Sequence, residues 1–269
     1  MDLTNKYKLG LQISNGFFAI ATIVVNALAN ILPINNRLTA EISDSLPNLF
    51  VPSGFTFSIW GIIYILLILF AIYQGRDIFK KEKIEMTFLK KIGFLFIIAS
   101  LANIGWIFAW HYEQIFLSLL AMLILFVCLL IIYLRLDIGK VKVNFKEKLF
   151  VHVPFSVYLG WITVATIANI TALLVDIGWD GFGISEMIWT ILVLIVATII
   201  TSIIIISRRD LAYGLVIVWA FFGILMKRIN PDPIFGIQTE IAMVAGILCL
   251  IIIGLLIFKS IPLITNKKI

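Results

Sequence analysis

Residues 54–74 read Gly-Phe-Thr-Phe-Ser-Ile-Trp-Gly-Ile-Ile-Tyr-Ile-Leu-Leu-Ile-Leu-Phe-Ala-Ile-Tyr-Gln, without a single charged side chain. A helix needs roughly 20 apolar residues to cross about 30 Å of hydrocarbon, and this run is that long. Inside lipid every backbone N–H and C=O must be paired within the chain, so only helices or closed barrels span. The run lacks the alternation of a barrel strand and therefore predicts a transmembrane helix.

Seven further runs of the same kind flank it, at 11–32, 92–110, 115–135, 150–174, 187–206, 211–228 and 238–258. Of the 269 residues, 62% are hydrophobic and 13% charged, against about 25% charged in an ordinary soluble domain. The expected fold is an all-α integral membrane protein with eight transmembrane helices. The first span is the least apolar, carrying Gln12, Ser14, Asn15, Asn26 and Asn30. Polar groups in a span usually face other helices, so this helix is expected inside the bundle.

Lysine and arginine then orient the chain, because they concentrate in cytoplasmic loops. Eighteen of the 21 fall before span one or after spans two, four, six and eight: Lys6 and Lys8, then Arg76 to Lys91, Arg135 to Lys148, Arg208 with Arg209, and finally Lys259, Lys267 and Lys268. Only Arg37, Lys227 and Arg228 lie on the other side. The expectation is a multi-pass protein of the cytoplasmic (inner) membrane with both termini cytoplasmic and no cleaved signal peptide. The net charge of +6 is a topology signal, and its spread over five segments speaks against a nucleic-acid partner.

Three spans share a pattern of large rings and amides. Span two carries Phe57, Trp60 and Tyr64, span three Asn103, Trp106 and Trp110, and span five Tyr158, Trp161, Ala165 and Asn169. Residues three and four apart share a helix face. An interfacial aromatic belt accounts for Trp106 and Trp110. It accounts less well for Trp161, which lies roughly 16 Å into its span at 1.5 Å per residue. The pattern by itself leaves a ligand pocket and structural packing both open.

At these residues the chain resembles the TspO/MBR family, the tryptophan-rich sensory and translocator proteins. Pro52-Ser-Gly-Phe-Thr-Phe57-Ser-Ile-Trp60-Gly-Ile-Ile-Tyr64 is similar to that family's second-helix signature. Asn103-Ile-Gly-Trp106 resembles its third-helix motif, and Tyr158-Leu-Gly-Trp161-Ile-Thr-Val-Ala165-Thr-Ile-Ala-Asn169 its fifth-helix motif. The three cover spans one to five, about two thirds of the chain. The resemblance implies a TspO-like five-helix bundle over 1–176, followed by three additional helices over 177–269. It also implies an outward-facing apolar pocket capped by the loop after helix one, with porphyrins, sterols or synthetic aromatic compounds as ligands. Trp60 and Trp161 would flank a flat ligand, Asn103 would hydrogen-bond it, and Tyr64 and Ala165 would shape the wall. Phe57, Trp106, Asn169 and Pro52 complete the expected ligand-binding set.

The chain also departs from the family. It adds three helices, and Pro154 stands four residues ahead of Tyr158. The sterol-recognition pattern expected after helix five is absent, since no Tyr follows Asn169 before Asp176. The loop from Pro33 to Ser53 ends in an apolar stretch, Leu46-Pro-Asn-Leu-Phe-Val-Pro-Ser53. It reads either as an interfacial segment or as a lid.

No catalytic residue and no metal ligand set emerges. His111, near Trp110 and Glu113, reads as interfacial, with axial ligation of a haem iron as the sharper alternative. Cys128 and Cys249 lie mid-span and read as small apolar residues. Span interiors lack the acidic and basic groups that a proton relay requires, and no nucleophile motif or phosphate-cradling glycine loop is present. The expected function is a receptor or transport-type membrane protein, with a sensory role in prospect. Its expected partners are a hydrophobic aromatic or tetrapyrrole-like small molecule (a porphyrin or haem-like group as ligand, not as cofactor), membrane lipid and a second copy of itself. The rival functions are a porphyrin-degrading membrane enzyme and a structural subunit without a ligand. Ala242-x-x-x-Gly246 is a close-packing pattern suited to a helix pair.

Overall fold

A computed structural model describes residues 3–32 and 34–265. Pro33, Lys267 and Lys268 lie outside the described residues. Among those described, the secondary structure is entirely helical.

Helix α1 runs Leu3–Ile31, and the segment after it holds a 3-10 turn at Ile34–Asn36 and the short helix α2, Thr39–Ser45. A second 3-10 turn, Gly54–Ser58, leads into α3, Ile59–Gly75. Then come α4 (Thr87–Ile92), α5 (Leu95–His111), α6 (Ile115–Arg135) and the single turn α7 (Phe145–Glu147). A π-helical turn at Lys148–His152 joins α7 to α8, Val153–Asp176. The last three helices are α9 (Glu186–Arg208), α10 (Leu211–Ile229) and α11 (Thr239–Thr265).

Seven of the described helices are long and apolar enough to cross a membrane, which makes this a multi-pass membrane protein. Eight were expected. Helix α3 reaches that length together with the 3-10 turn before it, as Gly54–Gly75, whereas the remaining apolar helix, α5, has 17 residues, or roughly 25 Å at 1.5 Å per residue. It starts three residues later than the sequence predicts because Gly93 takes φ 53 and ψ −135 and ends α4. Side chains with a Cβ rarely adopt that conformation.

The most buried helices are α8 and α10, which form the centre. The π-turn has a local cause. Pro154 has no N–H to give the carbonyl four residues back, and the ladder widens just ahead of it.

Helix α1 departs from its expected place inside the bundle. It packs against α3 and α5 on one side, while Ile13, Phe17, Ile20, Val24 and Leu28 are exposed. Its polar side chains Gln12, Asn15, Thr22 and Asn26 are buried on the opposite stripe. The helix is therefore peripheral, apolar outward and polar inward, as lipid on one side demands. At its N-terminal end Lys8 Nζ and Gln12 Nε2 both donate to the buried carboxylate of Asp77. Gln12 and Gln74 exchange amide donors for each other's backbone carbonyls at 2.5 and 3.1 Å.

Of the last three helices, α10 packs directly on α8 and on the turn before α3, and α9 and α11 pack on α10 and on each other. Asp210 caps α10 by accepting the Tyr213 N–H, and it also accepts the hydroxyls of Tyr133 on α6 and Ser156 on α8. At the other end of α10, Gly223 lies so close to the 52–56 segment that an added Cβ would stand 2.0 Å from Thr56 Oγ1. Ser53 N donates to Gly223 O at 3.1 Å, and Trp219 Nε1 donates to Thr56 O at 2.9 Å. Ala242 is buried, and Gly246 faces Leu225 of α10, so this small pair seats α11 on α10 within one chain. Cys128 and Cys249 are buried free thiols.

Candidate ligand-binding site

At the end of the bundle where α5 finishes, α3, α5 and α8 bring their rings together. Trp60 stacks on Trp106, with centroids 6.2 Å apart, and on Tyr64 at 5.7 Å. Trp106 stacks in turn on Trp110 at 6.0 Å. Trp161 meets Trp60 and Phe57 edge-on, at 6.3 and 5.9 Å. Edge-to-face and offset stacking are the arrangements that ring quadrupoles favour.

These rings enclose a cavity of about 40 Å³. Its walls include Pro52, Phe57, Trp60, Trp106, Trp161, Ala165 and Asn169, seven of the nine residues singled out in the sequence. Tyr64 and Asn103 do not line it. Tyr64 lies one turn along α3, behind Trp60. Asn103 is turned toward α1, where its Oδ1 accepts from Asn26 Nδ2 at 2.6 Å. Asn169 also has a partner, since its Oδ1 accepts from Ser118 Oγ at 3.0 Å. The amides therefore tie neighbouring helices together in this conformation.

Two indole N–H groups of the cage have no partner. Trp106 Nε1 and Trp161 Nε1 are buried without a partner on cavity-lining residues, while Asn103 Nδ2 and the Tyr158 hydroxyl, outside the cavity wall, face each other without a well-formed hydrogen bond. An unpartnered buried donor costs about 1–3 kcal/mol, and native structures keep such groups few. Both indoles belong to the wall of the same cavity.

The segment between α1 and α3 closes the cavity. Ile42, Leu49, Phe50 and Val51 are buried, so the segment is folded inward rather than laid along an interface. Thr39 and Ser43 from α2 are part of the cavity wall. The segment is latched to the end of α5. His111 Nδ1 lies 3.1 Å from Ile34 O, a carbonyl that can only accept, so Nδ1 carries the proton. Nε2 then accepts from the Thr39 hydroxyl at 3.0 Å. With both ring nitrogens engaged, His111 has no free lone pair for a haem iron. Trp110 Nε1 donates to Thr39 O at 3.1 Å, and Arg37 pairs with Glu113 at 2.7 Å. Thr39, Ser43, Val164 and Ala168 also line the cavity, as does Trp110, which belongs to the ring pattern of span three but not to the expected ligand-binding set. Trp110, Val164 and Ala168 were within reach, as each lies one helical turn from a residue of the expected set.

The two-part cap, an aromatic cage and its fastened lid, rests on the same helices that carry the three motifs. A model of the TSPO-like protein family matches residues 12–258. The chain belongs to the TSPO-like family. The match runs past Asp176, where the sequence places the end of the five-helix bundle, and takes in the helices after it. Membership points to receptor or transport-type work in a membrane. No curated protein and no solved structure matches this TSPO-like chain.

Proposed function

We propose that this protein is a membrane receptor or transport-type protein that takes a flat hydrophobic ligand, aromatic or tetrapyrrole-like, into the Trp60–Trp106–Trp161 cage. The observation that carries the reading is the pair of unpartnered indole N–H groups, of Trp106 and Trp161, among stacked rings on one cavity wall. Indole faces offer stacking surface, and the indole N–H and amide groups offer hydrogen bonds to a ligand's carbonyl or carboxylate. The cavity of about 40 Å³ is far smaller than a drug-sized pocket of roughly 300–1,000 Å³. Admission of the ligand therefore requires the Trp60–Trp106–Trp110 stack to part and the α2 lid to lift. The same reading makes α5 an eighth crossing and places both termini on the cytoplasmic side of the inner membrane, with the cage opening outward.

Titration of the purified protein with protoporphyrin IX, followed by tryptophan quenching, tests it. Saturable binding is expected, weakened by roughly tenfold in Trp60→Ala and in Trp161→Ala, the loss that follows from one removed ring contact and its buried area. Absence of saturable quenching would leave the cage as packing alone and favour a structural subunit. A new pigment formed under illumination would favour the enzyme.

A further inference from the structure

Arg228, near the C-terminal end of α10, is the largest fully buried side chain of the described residues. Its guanidinium is poorly compensated. Nη2 donates to Asn48 O at 3.3 Å, Nη1 reaches Asp232 Oδ2 only at 3.5 Å, and Nε is buried without a partner. Asp232 spends its other oxygen on the backbone N–H groups of Ile234 and Phe235. The neighbouring cation is spoken for, since Lys227 pairs with Asp44 at 2.7 Å. A buried charge with incomplete hydrogen bonding is costly, and a guanidinium offers its donors in a planar fork suited to an oxyanion.

Space for that anion is present. Arg228 lines a cavity of about 370 Å³ between α10, the 230–235 segment and the lid. Pro47, Asn48, Ile234 and Phe235 are shared with a second, adjoining cavity of about 540 Å³. The second is largely apolar, walled by Phe50, Leu174, Trp179 and Trp189. Phe235 stands between the two and presents its ring to the guanidinium at 5.7 Å. The second cavity carries Asp180 and Glu186 with no cation to offset them, whereas the first sets Lys227 and Arg228 beside Asp44 and Asp232. The polar end of a ligand is thereby directed toward Arg228 and its hydrocarbon toward the tryptophans.

We infer that this double crevice is a binding site for an amphipathic carboxylate, distinct from the aromatic cage. Arg228 is fully covered in this conformation, so the carboxylate accepts from its Nε and the second hydrogen of Nη2 once Phe235 shifts off the guanidinium, and the chain lies against Trp179 and Trp189. The site sits on the back of the same lid, because Asn48 and Phe50 belong to the segment that carries α2.

The test is tryptophan quenching in phosphatidylcholine nanodiscs by 11-bromoundecanoate, compared with 11-bromoundecanol. The wild type is expected to bind the carboxylate about tenfold or more tightly than the alcohol, the gain of one charge-assisted hydrogen bond. Arg228→Gln is expected to bring the two affinities together, with monodispersity and melting temperature checking its fold. Trp179→Phe combined with Trp189→Phe is expected to remove most of the quenching. Equal affinities in the wild type, undiminished discrimination in Arg228→Gln, or quenching that persists in the double variant would each overturn the proposal. So would loss of carboxylate binding when phosphatidylglycerol is added to the disc, since that assigns the anion site to a lipid phosphate.

Discussion

Thr39 ties α2 to the end of α5 through one hydroxyl and one carbonyl. Its hydroxyl meets His111 Nε2 and its carbonyl accepts from Trp110 Nε1. Thr39→Val keeps the shape and removes the hydroxyl. It is expected to cost about 1 kcal/mol and to speed association of protoporphyrin IX in stopped-flow quenching, with the lid less firmly latched. An unchanged association rate would show that the lid is not the gate. Gly223 is the counterpart on α10. Gly223→Ala drives a methyl into Thr56 and Pro52, where only 2.0 and 3.0 Å are available. Forcing a methyl into a packed contact costs about 1–3 kcal/mol, so a lower melting temperature is expected, read by thermal denaturation in detergent.

At the scale of elements, polar pins join helices whose outer faces are solvated by lipid. Lipid provides no hydrophobic drive for helix association, so packing and interhelical hydrogen bonds decide it. Asp210 joins α6, α8 and α10 through Tyr133, Ser156 and the Tyr213 N–H. Asp210→Ala leaves those donors buried and unpaired, and a loss of about 1–3 kcal/mol per orphaned group should appear as a large drop in melting temperature. The Lys8–Asp77–Gln12 pin fastens α1 to the loop after α3. Burial opposes ionisation of Asp77, but the bonds from Lys8, Gln12 and the Ile84 N–H outweigh it and hold its carboxyl below the ordinary value. A lowered folded pKa gives stability that is full above the unfolded value of about 3.9 and is lost as pH falls through the folded one. Melting temperature should therefore decline below about pH 4, and Asp77→Asn should flatten that decline. An identical acid profile in the variant would remove Asp77 from the account.

For the molecule as a whole, the prediction concerns sidedness. Lys142 and Asp176 are both exposed and lie at opposite ends of α8 and its preceding turn. With the two native cysteines replaced by alanine, an impermeant maleimide applied to intact cells should label Asp176→Cys and leave Lys142→Cys unlabelled until the membrane is opened. The reverse pattern would invert the orientation drawn from the lysines and arginines. The molecule is also more unified than its sequence suggests. Helix α10 holds the 52–56 segment through Trp219 and Gly223, and the family match spans both halves.

Much was legible in the amino-acid sequence because lipid imposes simple rules. Apolar run length marked the helices, and three spaced motifs named seven residues that line one cavity. Local backbone chemistry shifted the details, as where Gly93 shortens α5. What the sequence did not determine is partnership. Whether Asn103 faces a ligand or Asn26, whether His111 is free or held by Thr39 and Ile34, and which groups lie against the buried Arg228 depend on residues far apart in the chain. Composition and periodicity act within one helix. Hydrogen bonds and cavities exist only between helices, and so the tertiary structure alone decided them.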